Sequence, residues 1–278
     1  MQLSPLKYPG GKTRAVKILK EYIPEGTTKV VSPFFGGGSF ENFLSLNGHE
    51  VHGYDFSSHL VDFWKSYMGD KTELFRRSRE LFQSILIPKY VGVDPKSPER
   101  QEQKDIFWGW REIVLNSDEQ FERGVHYFAL NRCVFSGLTL CSGMKSTKWL
   151  VKEVGEQAIG NLEKIPFHVK SVNHMSCFES IEKHNKDFLY LDPPYIMEEE
   201  SKEAIYGNKG DMHKGFDHTL LRDILSNHKG KWVLSYLNVP ETHELYSNFN
   251  IQEVSWTYSM RTGKDSRPQG RELVITNF

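Results

Sequence analysis

The sequence predicts an α/β protein: a largely parallel sheet with helices on both faces, interrupted by a helical section. Three observations predict it. Short apolar runs recur between helical patterns, a glycine-rich turn follows the first run directly, and the alternation lapses between residues 58 and 165.

The elements follow in chain order. Lys7-Tyr8-Pro9-Gly10-Gly11-Lys12-Thr13 makes a Pro-Gly-Gly turn ahead of a helix expected from Thr13 to Tyr22. Strands are expected at Lys29 to Ser32 and Val51 to Tyr54, with a helix from Ser39 to Leu46 between them. Residues 58–165 read as helices and polar loops, and the charged, proline-bearing stretch Pro88 to Gln103 reads as a mobile surface excursion. The alternation then resumes with strands at Phe167 to Val172, Phe188 to Leu191, Trp232 to Ser235, Ile251 to Trp256 and Leu273 to Thr276, and a helix from His218 to Asn227. Two domains follow: residues 1–57 with 166–278, and an inserted domain over 58–165.

Composition sets the outer limits. The chain has 278 residues, 38% hydrophobic and 26% charged, as expected of a soluble globular protein. No apolar run approaches the roughly 20 residues of a membrane span, and the N-terminal segment lacks the basic-then-apolar layout of a secretory signal. Cys133, Cys141 and Cys177 form no CxxC pair, so neither a disulfide framework nor a zinc site is indicated and a cytoplasmic or nucleoid location is expected. His213 and His218 have no acidic partner at ligand spacing, so no metal is expected. A net charge of −1 means that any nucleic acid must be met by a local basic face.

Gly11-Lys12-Thr13 looks like the tail of a phosphate-binding loop, but the glycine required five positions earlier is Leu6, and residues 1–6 leave little room for the strand that should precede it. The stronger signals come later. After the first strand, Ser32-Pro33-Phe34-Phe35-Gly36-Gly37-Gly38-Ser39 runs into a helix. Glycines at such a turn let the backbone approach a ligand, and the helix N-terminus offers unpaired N–H groups; a turn made for packing alone would look similar. Asp55 ends the second strand about twenty residues on, where a carboxylate accepts from both hydroxyls of a ribose, or merely caps a turn.

Phe188-Leu189-Tyr190-Leu191-Asp192-Pro193-Pro194-Tyr195 carries an aspartate, two prolines and a tyrosine to the carboxyl edge of the sheet, where such folds keep their ligands. An exocyclic amine conjugated with its ring is a poor nucleophile. Two acceptors holding both amine hydrogens would favour a pyramidal, reactive nitrogen, and Asp192 offers a carboxylate oxygen while Pro193 offers its carbonyl. The prolines remove competing N–H donors, and Tyr195 offers a ring on which a base stacks. A strand stopped by prolines remains the plainer alternative.

In this order, Tyr8 to Lys12, Pro33 to Ser39, Asp55 and Asp192-Pro193-Pro194-Tyr195 resemble the α group of N6-adenine DNA methyltransferases, in particular its Dam-like, D12-class members. Leu130-Asn131-Arg132 with Ser136-Gly137-Leu138, Leu234 to Asn238 and Arg271 to Phe278 extend the resemblance over nearly the whole chain, most weakly between Tyr67 and Phe121. The resemblance implies a Rossmann-like sheet, S-adenosylmethionine as cofactor and double-stranded DNA as substrate, with adenine flipped out and methylated at N6. It also implies site residues. Tyr8, Gly10, Gly11, Lys12, Phe35, Gly36, Gly38, Asp55 and Asp192 would bind the cofactor, and Asp192, Pro193 and Tyr195 would carry the chemistry. The insertion would recognise the target, with Asn131, Arg132, Lys145, Lys148 and Lys152 at the DNA. Arg261, Lys264, Arg267 and Arg271 would clamp the backbone, and the loop from Glu198 to Gly215 would close over the extruded base. A restriction endonuclease is a possible companion that no residue calls for.

Three positions depart from the family pattern. Ser32 stands where an acidic residue usually precedes Pro-Phe, Cys177 where an aspartate often holds the cofactor's adenine amine, and Cys133 where a tyrosine usually follows Asn-Arg. Methylation of cytosine N4 or of RNA would use nearly the same geometry. A catalytically silent DNA-binding module would need neither acceptor.

Overall fold

The computed structural model describes residues 2–90, 92–196, 215–257 and 269–278, which divide into two compact units. One comprises residues 10–56 together with the described residues from 166 onward and contains the whole sheet; the other comprises residues 2–9 and 57–165 and is helical. The first nine residues therefore group with the helical unit, whereas the sequence reading assigned them to the catalytic domain.

The sheet unit has seven strands: β1 (Lys29–Ser32), β2 (Glu50–Asp55), β3 (Ser171–His174), β4 (Phe188–Leu191), β5 (Trp232–Leu237), β6 (Asn250–Thr257) and β7 (Gln269–Thr276). Their order is β3-β2-β1-β4-β5-β7-β6. The first five run parallel, and β7 is antiparallel to both β5 and β6. This is the expected α/β architecture. β1 and β4 are neighbours, with Val30 opposite Phe188 and Val31 opposite Leu189. From β1 the chain winds outward through β2 and β3, then returns to lay β4 on the other side. The β1–β4 boundary is thus a topological switch point, where the turns after the two strands diverge and leave a crevice.

Burial explains the strand sequences. Phe188–Leu191 is buried at every position, which is why it reads as an unbroken apolar run. Val31, Leu189, Leu191, Trp232, Leu234, Tyr236, Leu273 and Ile275 pack in one core with Leu221 and Leu225 of helix His218–Ser226, each large side chain contributing roughly 1.5–3 kcal/mol by leaving water. The third strand begins at Ser171, four residues later than predicted. Phe167 to Lys170 only lead into it, because pairing with β2 starts at His52 opposite Ser171. The helix expected from Thr13 to Tyr22 is broken into a 3₁₀ turn Lys12–Arg14, one α turn Val16–Leu19 and a second 3₁₀ turn Lys20–Tyr22. No side chain caps its start, and β-branched Val16 and Ile18 favour helix weakly.

The helical unit is built from Ser58–Gly69, Lys71–Ile85, Pro98–Asn116, Gln120–Cys133, Thr147–Val154 and Glu156–Glu163. Its centre is aromatic, with Phe63, Trp64, Tyr67, Phe75, Phe82 and Phe128 all buried. Gly124 lets helix Gln120–Cys133 approach helix Ser58–Gly69, since a Cβ there would fall 2.2 Å from Ser66 Oγ. The excursion expected over Pro88 to Gln103 is corrected in its second half, which forms the first turns of the unit's longest helix. Ser97 Oγ accepts from Arg100 N, Pro98 takes the first turn, and fully buried Gln103 donates to Ile85 O. Among the described residues no helix is long and apolar enough to cross a membrane.

Candidate active site

Two strand ends of the sheet unit make the site. After β1, the turn is shaped by Gly36 (φ 50°) and Gly38 (φ 61°), left-handed positions that a side chain would strain. Gly38 is the N-cap of helix Ser39–Leu46. Asp55, ending β2, accepts the Gly36 N–H through Oδ2 at 2.8 Å, so the predicted ribose ligand and the glycine turn are one construction. Phe35 takes a different place from the one expected. Its ring is 2% exposed and lies on Gly53 of β2, where a Cβ would meet it at 2.2 Å, and its N–H donates to Tyr54 O at 2.9 Å. It braces the turn from inside.

After β4, Asp192 is a heavily bonded carboxylate. Lys12 Nζ donates to Oδ1 at 2.7 Å and to Oδ2 at 2.8 Å. Ser235 Oγ of β5 donates to Oδ1 at 2.8 Å, and Tyr195 OH lies 3.1 Å from the same oxygen. Tyr195 OH also donates to Glu272 Oε2 of β7 at 2.6 Å and accepts from Lys12 Nζ at 2.8 Å. Lys12 is 4% exposed and Glu272 fully buried, 3.8 Å apart. Burial opposes the Lys12 ammonium, but Asp192 and Glu272 outweigh it and raise its pKa, so it stays charged. One ring face of Tyr195 is stacked on Tyr236, centroids 5.5 Å apart. Pro193 is buried, and among the described residues nothing donates to its carbonyl.

The Lys12 geometry also disposes of the phosphate-loop reading. No strand precedes Gly10 within residues 2–9, and the ammonium is held by Asp192 and the Gly10 carbonyl. Gly10 is left-handed at φ 71°, and Gly11 is the N-cap of the 3₁₀ turn Lys12–Arg14. Tyr8 is half-buried and belongs to the helical unit.

Ser235, Glu272 and Glu41 belong to the site although the sequence reading named none of them for a role. Ser235 and Glu272 sit in segments that carried the family resemblance without a role assigned to either residue; their placement beside Asp192 comes from strand order. Glu41 bears on the Ser32 departure. Ser32 Oγ donates to Glu41 Oε1 at 2.8 Å, both being buried. An acidic side chain from the following helix thus lies against Ser32, and burial pushes its pKa up to about 8. Cys177 and Cys133 are buried thiols whose pKa values desolvation pushes up to about 12, so neither stands in for an ionised group.

The residues assigned to DNA fare unevenly. Asn131 is corrected. It is fully buried, its Nδ2 donating to Lys7 O at 2.8 Å and its Oδ1 accepting from Lys7 N at 2.9 Å. This pairing imitates a strand contact and pins the N-terminal segment. Arg132 and Lys145 are also buried, at 3.0 Å and 3.3 Å from Glu153, which Lys7 Nζ contacts as well. Lys148 and Lys152 are exposed. Phe135 and Trp149, both 55% exposed, lie beneath Lys145 and Lys152 at 5.6 Å. Arg261, Lys264, Arg267 and residues 198–214 lie outside the described residues, as does the Arg271 side chain. No group of three metal-ligating side chains occurs among the described residues.

With the glycine turn, Asp55 and the end of β4 described, comparison with known proteins identifies the family. The family profile described as D12 class N6 adenine-specific DNA methyltransferase matches residues 8–260. The chain is 24% identical to the Type II methyltransferase M1.LlaDCHI of Lactococcus lactis subsp. cremoris, over 98% of this chain and 94% of that one. It is 22% identical to the DNA adenine methylase of Haemophilus influenzae, over 97% and 91%. Against the DNA adenine methylase of Escherichia coli K12 it is 27% identical over 48% of this chain and 41% of that one. A solved SAM-dependent methyltransferase from Agrobacterium tumefaciens aligns over 94% of this chain and 59% of that chain at 14% identity and a TM-score of 0.38, too slight a likeness to bear on the site. The chain belongs to the family of D12 class N6 adenine-specific DNA methyltransferases.

Proposed function

We propose that the β1 and β4 ends form the methyl-transfer site itself, with S-adenosylmethionine on the glycine turn and an adenine flipped from double-stranded DNA against Asp192 and Pro193. The cofactor supplies an electrophilic methyl group. Gly36 and Gly38 give close backbone access to its methionine end, and Asp55, already oriented by the Gly36 N–H, accepts from its ribose. Asp192 and the Pro193 carbonyl hold the two hydrogens of the target amine and turn its lone pair toward the methyl group. Lys12, Ser235 and Tyr195 fix the Asp192 carboxylate, and Lys12 yields part of that contact when the amine arrives. The observation that carries this reading is the Asp192 environment, a carboxylate ending a buried strand at the switch point, oriented by donors from Lys12 and Ser235 with the Tyr195 hydroxyl beside it.

The magnitudes are adequate. Extruding a base costs a few kcal/mol, offset in part by stacking worth about 1–3 kcal/mol. In-line positioning supplies roughly 7–11 kcal/mol of barrier reduction, and each preorganised acceptor about 3 kcal/mol, by analogy with oxyanion donors.

The helical unit suits target recognition. Exposed Lys148 and Lys152 offer phosphate contacts, and Phe135 and Trp149, each beneath a lysine, offer stacking faces. Arg132 and Lys145 reach a phosphate by exchanging Glu153 for it. The name of the Lactococcus relative favours a restriction-associated role.

Tritiated S-adenosylmethionine with duplex DNA, followed by nucleoside mass spectrometry, tests the proposal. The expected product is N6-methyladenine, lost in Asp192→Asn. Undiminished transfer by that variant removes the assignment, and N4-methylcytosine or a product confined to RNA overturns the choice of acceptor.

A further inference from the structure

Glu41 is a buried carboxyl that the proposed chemistry does not use. It lies in the first turn of helix Ser39–Leu46, directly after the glycine turn, and its side chain folds back to Ser32 at the end of β1. The carboxyl therefore sits beneath the turn on which the cofactor is placed. Structure alone does not require an acid there: a glutamine oxygen would accept from Ser32 equally well without the cost of burying an ionisable group. Ser32 faces Glu41 from β1, Asp192 and Tyr190 act on it from β4, and Lys12 acts from the N-terminal turn. Lys12 is the cation acting on it among the described residues, and that ammonium is bound to Asp192. The Tyr190 hydroxyl is buried in the same interior, where burial and the neighbouring carboxylates raise its pKa.

We infer that Glu41 is a cofactor-responsive residue, whose carboxyl beneath the glycine turn gives up its proton to solvent when a positively charged methyl donor binds. The inference rests on the cofactor reading above. Burial keeps the proton on Glu41 at neutral pH, at a pKa of about 8. A cation brought to the turn favours the carboxylate, and binding then releases what the empty protein holds. The ion pair so formed replaces the acidic residue that Ser32 lacks. It also makes affinity depend on pH.

Titration calorimetry of the full chain with S-adenosylmethionine at pH 7, in phosphate and in Tris, counts the protons exchanged. Close to one proton released is expected, with affinity rising by about tenfold per pH unit between pH 6 and 7 and levelling above pH 8. Glu41→Gln is expected to retain the Ser32 contact and bind with neither effect. The donor's own ammonium exchanges only a small fraction of a proton at pH 7, and the difference between wild type and Glu41→Gln removes it. Binding by the wild type without proton release overturns the inference, as does the same pH slope in both proteins; either result leaves the cofactor reading standing. Failure of the wild type to bind S-adenosylmethionine at all removes that reading itself. Should Glu41→Gln not fold, the two-buffer proton count on the wild type decides alone.

Discussion

Each unit of this protein keeps a cluster of charge out of water, and the balance runs in opposite directions. In the sheet unit one ammonium, Lys12, meets two carboxylates, Asp192 and Glu272, with Glu41 close by. In the helical unit one carboxylate, Glu153, meets three cations, Lys7, Arg132 and Lys145. Buried charge is costly unless paired, so each imbalance marks a place where a ligand of the opposite sign is favoured. On the proposed reading these ligands are the cationic methyl donor at the sheet unit and DNA at the helical unit. A net charge of −1 for the chain conceals both, because it averages over them.

The comparison breaks most readily at Asp192. Asp192→Asn keeps the shape of the side chain and removes its charge, and methyl incorporation into DNA should fall by about 10²-fold or more. Circular dichroism should be unchanged. Retained activity would mean that the carboxylate excess serves stability alone.

Lys12→Met leaves Asp192 and Glu272 facing each other without their shared cation, at a cost of about 3 kcal/mol in urea unfolding. Lys145→Met should cost less than about 1 kcal/mol, since Glu153 keeps Arg132 and Lys7. Equal losses would erase the distinction between the two clusters.

Glu41 sharpens the contrast through pH. Its folded pKa lies above its unfolded one, so the native state holds the extra proton between roughly pH 5 and 8, and stability falls as pH rises through that window. The slope is at most about 1.4 kcal/mol per pH unit. Glu41→Gln should show a flatter profile by differential scanning calorimetry, with its largest advantage near pH 8. A profile parallel to the wild type would exclude Glu41 as the titrating group.

The smallest effect belongs to the exposed lysines. Lys148→Ala and Lys152→Ala should each reduce the slope of log affinity against log salt by about 0.9 if each neutralises one phosphate. Fluorescence anisotropy of labelled duplex measures this, and unchanged slopes would make them a solvated helix face.

Local signals carried much of the fold. Strand-length runs located the seven strands of the described residues, most plainly β4, which is buried at every position and reads as an unbroken hydrophobic run. They failed by four residues at the starts of β3 and β7: β3 begins at Ser171, not Phe167, and β7 at Gln269, not Leu273, because pairing with the neighbouring strand outweighs composition. Pro88 to Gln103 misled because its charges suggested solvent, while the start signal Ser97-Pro98-Glu99 was present and the burial of Gln103 depends on a distant carbonyl, that of Ile85. At the site, Asp192, Asp55 and the glycines were legible as motifs. Phe35 and Asn131 were legible as positions but not in their packing, against Gly53 and Lys7, since a side chain's neighbour is not written in its own segment.

What the chain order alone determined is which chemistry is available: a carboxylate and a proline carbonyl ending a buried strand, glycines at a strand-to-helix turn, an acid about twenty residues beyond. Those features are local, and backbone sterics and burial impose them wherever the segment goes. The tertiary structure decided the partnerships. Lys12 met Asp192 across 180 residues, Glu272 met Tyr195 across 77, and Ser32 came to share a proton-bearing Glu41. Such pairings follow from strand order and helix return, and only there do charges come close enough, and dry enough, to alter one another.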